Sequence, residues 1–79
     1  MDKNAQNNFD LLGALDAIRG KRCTFSAGIE AIQQIATDVG GNVTTDIEDG
    51  QQFYTIEVGN QKAVCYQPYP DIDRFYFEM

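Results

Sequence analysis

The sequence predicts an α+β fold: two N-terminal helices packed on one face of a three- to four-stranded antiparallel sheet. Three observations lead there. Apolar residues recur at helical spacing up to Val39, and from Val43 onward the period changes to two. The helices precede the strands without alternating with them, which is the order of α+β rather than of α/β chains. At 79 residues there is room for one core, so 1–79 is read as a single small acidic domain.

Residues 1–7 are polar and are expected to fray. Asn8 is an expected N-cap. Phe9, Leu12, Leu15 and Ile18, with Leu11 beside them, mark a first helix over 9–19. Gly20 suits the position just past its end, and Arg19, Lys21 and Arg22 suit the negative end of its dipole. The stretch 21–25 reads either as a linker or as a short edge strand.

Ser26, the only serine, is the expected N-cap of the second helix. Ile29, Ile32, Ile35, Ala36 and Val39 form its apolar stripe, and Gly40-Gly41 ends it. Val43, Thr45 and Ile47 then alternate with Thr44 and Asp46 as a strand. Asp49-Gly50, within the turn 48–51, is a strong hairpin signal. Gln52 to Val58 forms the next strand, and Gly59-Asn60 a two-residue hairpin loop.

That loop dictates a register: Val58 opposite Gln61, Glu57 opposite Lys62, Ile56 opposite Ala63, Thr55 opposite Val64, Tyr54 opposite Cys65, and Phe53 opposite Tyr66. Tyr54, Ile56, Val58, Ala63 and Cys65 then share a core face, with Glu57 and Lys62 paired on the other. Pro68 and Pro70 interrupt the ladder, because proline has no backbone N–H to donate. Residues 74–79 return as a last strand, with Phe75, Phe77 and Met79 on one face and Tyr76 and Glu78 on the other.

The net charge of −6 is uneven. Residues 26–79 hold nine carboxylates against Lys62 and Arg74, a net −7, whereas residues 1–25 carry a net +1. Such a surface stays soluble, repels nucleic acid and anionic membrane, and steers toward basic partners. Met1 to Asn8 contain no apolar stretch, so no signal peptide is expected, and cytoplasm is the expected location.

Histidine, the commonest general base and metal ligand, is absent. No phosphate-binding glycine motif occurs. Cys23 and Cys65 lack the spacing of a zinc site and read as structural thiols. Asp46, Glu48, Asp49 and Glu57 resemble a calcium loop only loosely, since Gln51 stands where that loop needs glycine. Asp71 and Asp73 read as residues of the turn after Pro70 rather than as an acid–base pair. Neither an enzyme nor a bound cofactor or metal is expected.

What remains is a binding surface. If the helices cover one sheet face, the other carries Phe53, Tyr66 and Tyr76 among carboxylates, and aromatic clusters of this kind mark interfaces. The expected partner is a basic protein surface, including the nucleic-acid-binding surface of a protein, with no direct nucleic acid and no membrane. The expected contacts are Asp46, Glu48, Asp49, Glu57, Asp71, Asp73 and Glu78, with Tyr66, Tyr69 and Tyr76 as anchors. In size and charge, though not in any motif, the chain resembles small phage-encoded inhibitors of the anti-CRISPR type, which implies an inhibitor or adaptor acting as a nucleic-acid mimic. The alternative is an assembly domain that homodimerises through the sheet face.

Overall fold

A computed structural model describes residues 9–79 of the chain. It has two helices, α1 (Leu11–Gly20) and α2 (Phe25–Asp38). Four strands follow: β1 (Asn42–Glu48), β2 (Gln51–Val58), β3 (Gln61–Tyr66) and β4 (Tyr76–Glu78). The strands form one antiparallel sheet in the order β1-β2-β3-β4. The fold is α+β, with four strands, and the last lies beside β3.

In α1 the inward stripe is Leu11, Leu15 and Ile18, all buried, at the i, i+4, i+7 spacing of a helix face. Leu12, expected on that stripe, is 45% exposed, which shifts the stripe by one residue. The helix begins later than expected, and Asp10 occupies the N-cap position without a side-chain bond. The capping group comes instead from β3. Gln61 Oε1 accepts from the Leu11 N–H at 2.8 Å, and Gln61 Nε2 donates to the Phe9 carbonyl at 2.6 Å. The expected fraying of 1–7 and the cap at Asn8 lie outside the described residues.

The end of α1 also differs. Gly20 is the last helical residue rather than the residue past the end, and the left-handed position falls on Arg22, at φ 57°. A side chain there is strained by about 1 kcal/mol relative to glycine. Arg22→Gly should therefore hold or raise stability by up to about 1 kcal/mol, although it adds freedom to the unfolded chain. A urea midpoint clearly below the parent's would contradict this.

Of the two readings of 21–25 the linker holds: residues 21–24 are a turn connecting the two helices, and Phe25 is already the first residue of α2. The N-cap of α2 is Thr24, not Ser26, and Thr24 Oγ1 accepts from the Ala27 N–H at 3.2 Å. Phe25 is thereby drawn into the first turn of the helix. Asp73 Oδ1 accepts from the Phe25 N–H at 2.9 Å, so a carboxylate from the distant loop meets the positive end of α2.

The core is made of Leu11, Leu15, Ile18, Ile29, Ile32, Ala36, Ile56, Val58, Ala63, Cys65 and Phe75. The β2–β3 register places Glu57 against Lys62, Ile56 against Ala63 and Tyr54 against Cys65, as the Gly59-Asn60 loop requires. Both hairpin loops have two residues. Asp49 and Gly50 both have positive φ, whereas at the other loop only Gly59 does. These are the signatures of type I′ and type II′ turns, whose twist matches that of the flanking strands. The tight loop at 49–50 extends β2 back to Gln51, which had been expected in the turn. The last strand is shorter than 74–79: Phe75, just before β4, is buried, Phe77 within it packs against the core, and Met79, past its end, is 58% exposed.

Candidate interaction face

α1 and α2 cover the sheet from one side. The other side is uncovered by any described element, and the register fixes which residues share it. Asp46 pairs with Phe53, and Tyr66 with Tyr76. The Phe53 and Tyr66 rings join these two pairs, with centroids 5.8 Å apart. One row thus crosses all four strands: Asp46, Phe53, Tyr66, Tyr76. Tyr69, from the loop between β3 and β4, extends it by meeting Tyr76 edge-on at 6.3 Å. Phe53, Tyr66 and Tyr76 are half-buried and Tyr69 is 55% exposed, so ring surface remains open to solvent.

Carboxylates surround this row. Glu78 pairs with Val64 on the same face and accepts from the Tyr66 hydroxyl at 3.2 Å. Partial burial, the charge of Glu78, the hydrogen bond to it, and Tyr69 together hold the Tyr66 hydroxyl above the usual phenol range. It therefore remains a donor through neutral and mildly alkaline pH. Glu48 lies on this face at the hairpin end of β1. Glu57, between Asn42 and Lys62, lies toward the other end. Among the described strand residues, Lys62 is the only cation on the face.

The structure therefore brings together six of the expected contact residues, Asp46, Glu48, Glu57, Tyr66, Tyr76 and Glu78, with Tyr69 at their margin. It sets others apart. Asp73 is engaged at the start of α2. Asp71 lies exposed in the loop after Pro70. Asp49 sits at the tip of the β1–β2 turn, where it lines a hollow at the far end of the helix-covered side.

That hollow, about 500 Å³, is lined chiefly by Phe25, Asp49, Gln52, Tyr54, Pro68 and Pro70. The Phe25 and Tyr54 rings lie 5.9 Å apart. Gln51 Nε2 donates to the Gln67 carbonyl at 2.7 Å and ties the hairpin to the proline loop. Sequence reasoning missed this feature because Phe25 belongs to a segment with two readings. The one available signal was Thr24, an alternative cap two residues ahead of Ser26.

Comparison with protein-family models, with curated proteins and with solved structures finds no match to this chain. Both cysteines are free, Cys23 half-buried and Cys65 buried. Among the described residues no helix is long and apolar enough to cross a membrane.

Proposed function

We propose that this chain is a small protein-binding module, an inhibitor or adaptor, whose open sheet face occupies a basic surface of a partner protein. That surface includes one used to bind nucleic acid. The observation that carries the reading is the row from Asp46 through Phe53 and Tyr66 to Tyr76, crossing the whole sheet amid Glu48, Glu57 and Glu78. Rings at the centre of an interface supply most of its binding energy once water is excluded from them. Carboxylates at its rim steer a cationic partner and fix its orientation.

The test is affinity capture from a nuclease-treated bacterial lysate at low and moderate salt, followed by titration of the captured protein. A basic protein should be retained at low salt and released at moderate salt. Two variants should each weaken that complex by about tenfold or more: the triple reversal Asp46→Lys, Glu48→Lys, Glu57→Lys, and the single change Tyr66→Ala. Unchanged affinity in both would overturn the reading.

A further inference from the structure

β1 is an edge strand, and it is exposed at every position except Val43. The hydrogen-bond parity of its two sides follows from the hairpin. Glu48 and Gln51 flank a two-residue loop, so they form a narrow, doubly bonded pair, and pairs alternate from there. Asn42, Thr44, Asp46 and Glu48 thus direct their N–H and C=O groups toward β2. Val43, Thr45 and Ile47 direct theirs outward. The side chain of Asp46 agrees with this: its Oδ1 accepts from the Ile47 N–H at 2.9 Å.

An outward edge of this kind is a template for another strand, and natural edges commonly block it with proline, lysine or a bulge. β1 contains no proline and no lysine, and its seven pairs with β2 run without a bulge. We propose that the outer edge of β1 docks against β1 of a second copy of this chain, antiparallel about a two-fold axis at Thr45.

This register is selected by the sequence. With the axis at Thr45, Val43 faces Ile47, Thr45 faces Thr45, Thr44 faces Asp46, and Asn42 faces Glu48. All three outward-bonding residues find partners, in about six hydrogen bonds. Every carboxylate sits directly opposite a neutral side chain, and the two Asp46 side chains meet only on the diagonal. Moving the axis to Asp46 would set two carboxylates directly opposite each other, which is destabilising. Moving it to Thr44 would leave Ile47 facing Gly41. The chosen register also covers Ile47, 69% exposed and the most exposed large apolar side chain among the described residues, with Val43 of the second copy.

On pairing, the Ile47 N–H donates to the Val43 carbonyl of the second copy instead of to Asp46 Oδ1. Each copy brings a net charge of −6, so added salt should strengthen the dimer. The inference is independent of the open-face reading. An edge pair leaves both open faces uncovered and joins them into one eight-stranded surface, whereas a dimer through the aromatic rows would bury them.

Sedimentation equilibrium of the full chain at low and high salt tests this. The parent should reach twice its 8.8 kDa mass as concentration rises. Thr45→Pro removes the outward N–H of Thr45 and leaves the bonds to β2 intact, and it should weaken the dimer by about tenfold or more. A second readout does not depend on how that variant folds. In a Cys23→Ser background, Thr45→Cys should form a disulfide-linked dimer on mild oxidation, because directly paired residues have Cα atoms about 5.5 Å apart. Thr44→Cys, facing Asp46 instead of itself, should cross-link far less. A parent that stays monomeric at every concentration and salt level overturns the proposal. So does a dimer untouched by a folded Thr45→Pro, or equal cross-linking at positions 44 and 45.

Discussion

Gly28→Val should lower the stability of this chain by about 3 kcal/mol, the opposite of what helix propensity alone suggests. Glycine within a helix is ordinarily about 1 kcal/mol worse than alanine, so replacing it would look beneficial. Here a Cβ at position 28 would stand 2.2 Å from Phe75 Cδ1, 2.5 Å from its Cγ and 2.8 Å from its Cβ. None of these is the free end of a flexible chain. The Phe75 ring is buried and held between Phe25, 6.5 Å away, and Phe77, 6.2 Å away. The clash must displace either α2 or the segment leading into β4. A domain of this size has only about 3–5 kcal/mol in hand, so the variant should sit near its unfolding midpoint without denaturant.

The partner in the clash can be named by a double-mutant cycle. Phe75→Ala alone should cost about 3–5 kcal/mol. Gly28→Ala combined with Phe75→Ala should cost no more than Phe75→Ala alone, because the ring that collides is gone. Urea unfolding followed by circular dichroism would read all the variants, with an excluded osmolyte added to refold the weakest. Additive losses would mean that Gly28 is required for a reason other than contact with Phe75.

Stability should also fall steeply above pH 9. Burial among Ile56, Ala63 and the helices pushes the Cys65 thiol from its ordinary value of 9.0 up to about 12. Below pH 9 the thiol holds its proton in both folded and unfolded chains, and its contribution is fully present. Between pH 9 and about 12 the unfolded chain ionises while the folded one does not. Stability is then lost at about 1.4 kcal/mol per pH unit, reaching about 4 kcal/mol by the top of that window. The raised hydroxyl of Tyr66 adds a loss of the same sign.

Urea midpoints measured across neutral and alkaline pH should therefore decline for the parent. Cys65→Ala should start lower, because it removes a buried sulfur, and then decline more gently. A parallel decline in both chains would assign the alkaline transition to other groups. In a Cys23→Ser background the folded protein should accordingly show no thiolate absorbance until unfolding begins.

Local features made much of this fold legible. The two-residue loops determine the β1–β2 and β2–β3 registers, because a one-residue slip would turn Ile56, Ala63 and Cys65 out to solvent. The same registers placed Phe53 and Tyr66 on the face away from the helices. The open face was therefore largely predictable, as was the separation of Glu57 and Lys62 from the core.

Helix ends were not legible to the same degree. Sequence favours Ser26 as a cap, but Thr24 takes the position, and Asp73 from a loop 48 residues away binds the next N–H. At the start of α1, Asp10 makes no side-chain cap bond, and Gln61 on β3 supplies the bonds to Phe9 and Leu11. A helix end needs a hydrogen-bond partner, but nothing in its own sequence dictates that the partner be local. The sequence by itself determined the strand period, the β2–β3 register and the two faces of that hairpin, because these follow from side-chain alternation and turn chemistry over a few residues. Only the tertiary structure decided the caps, the one-residue rotation of α1 toward Leu11, the dependence of Phe75 on Gly28 and the bare edge of β1. Each of these depends on which distant segment arrives beside it, and packing in three dimensions settles that.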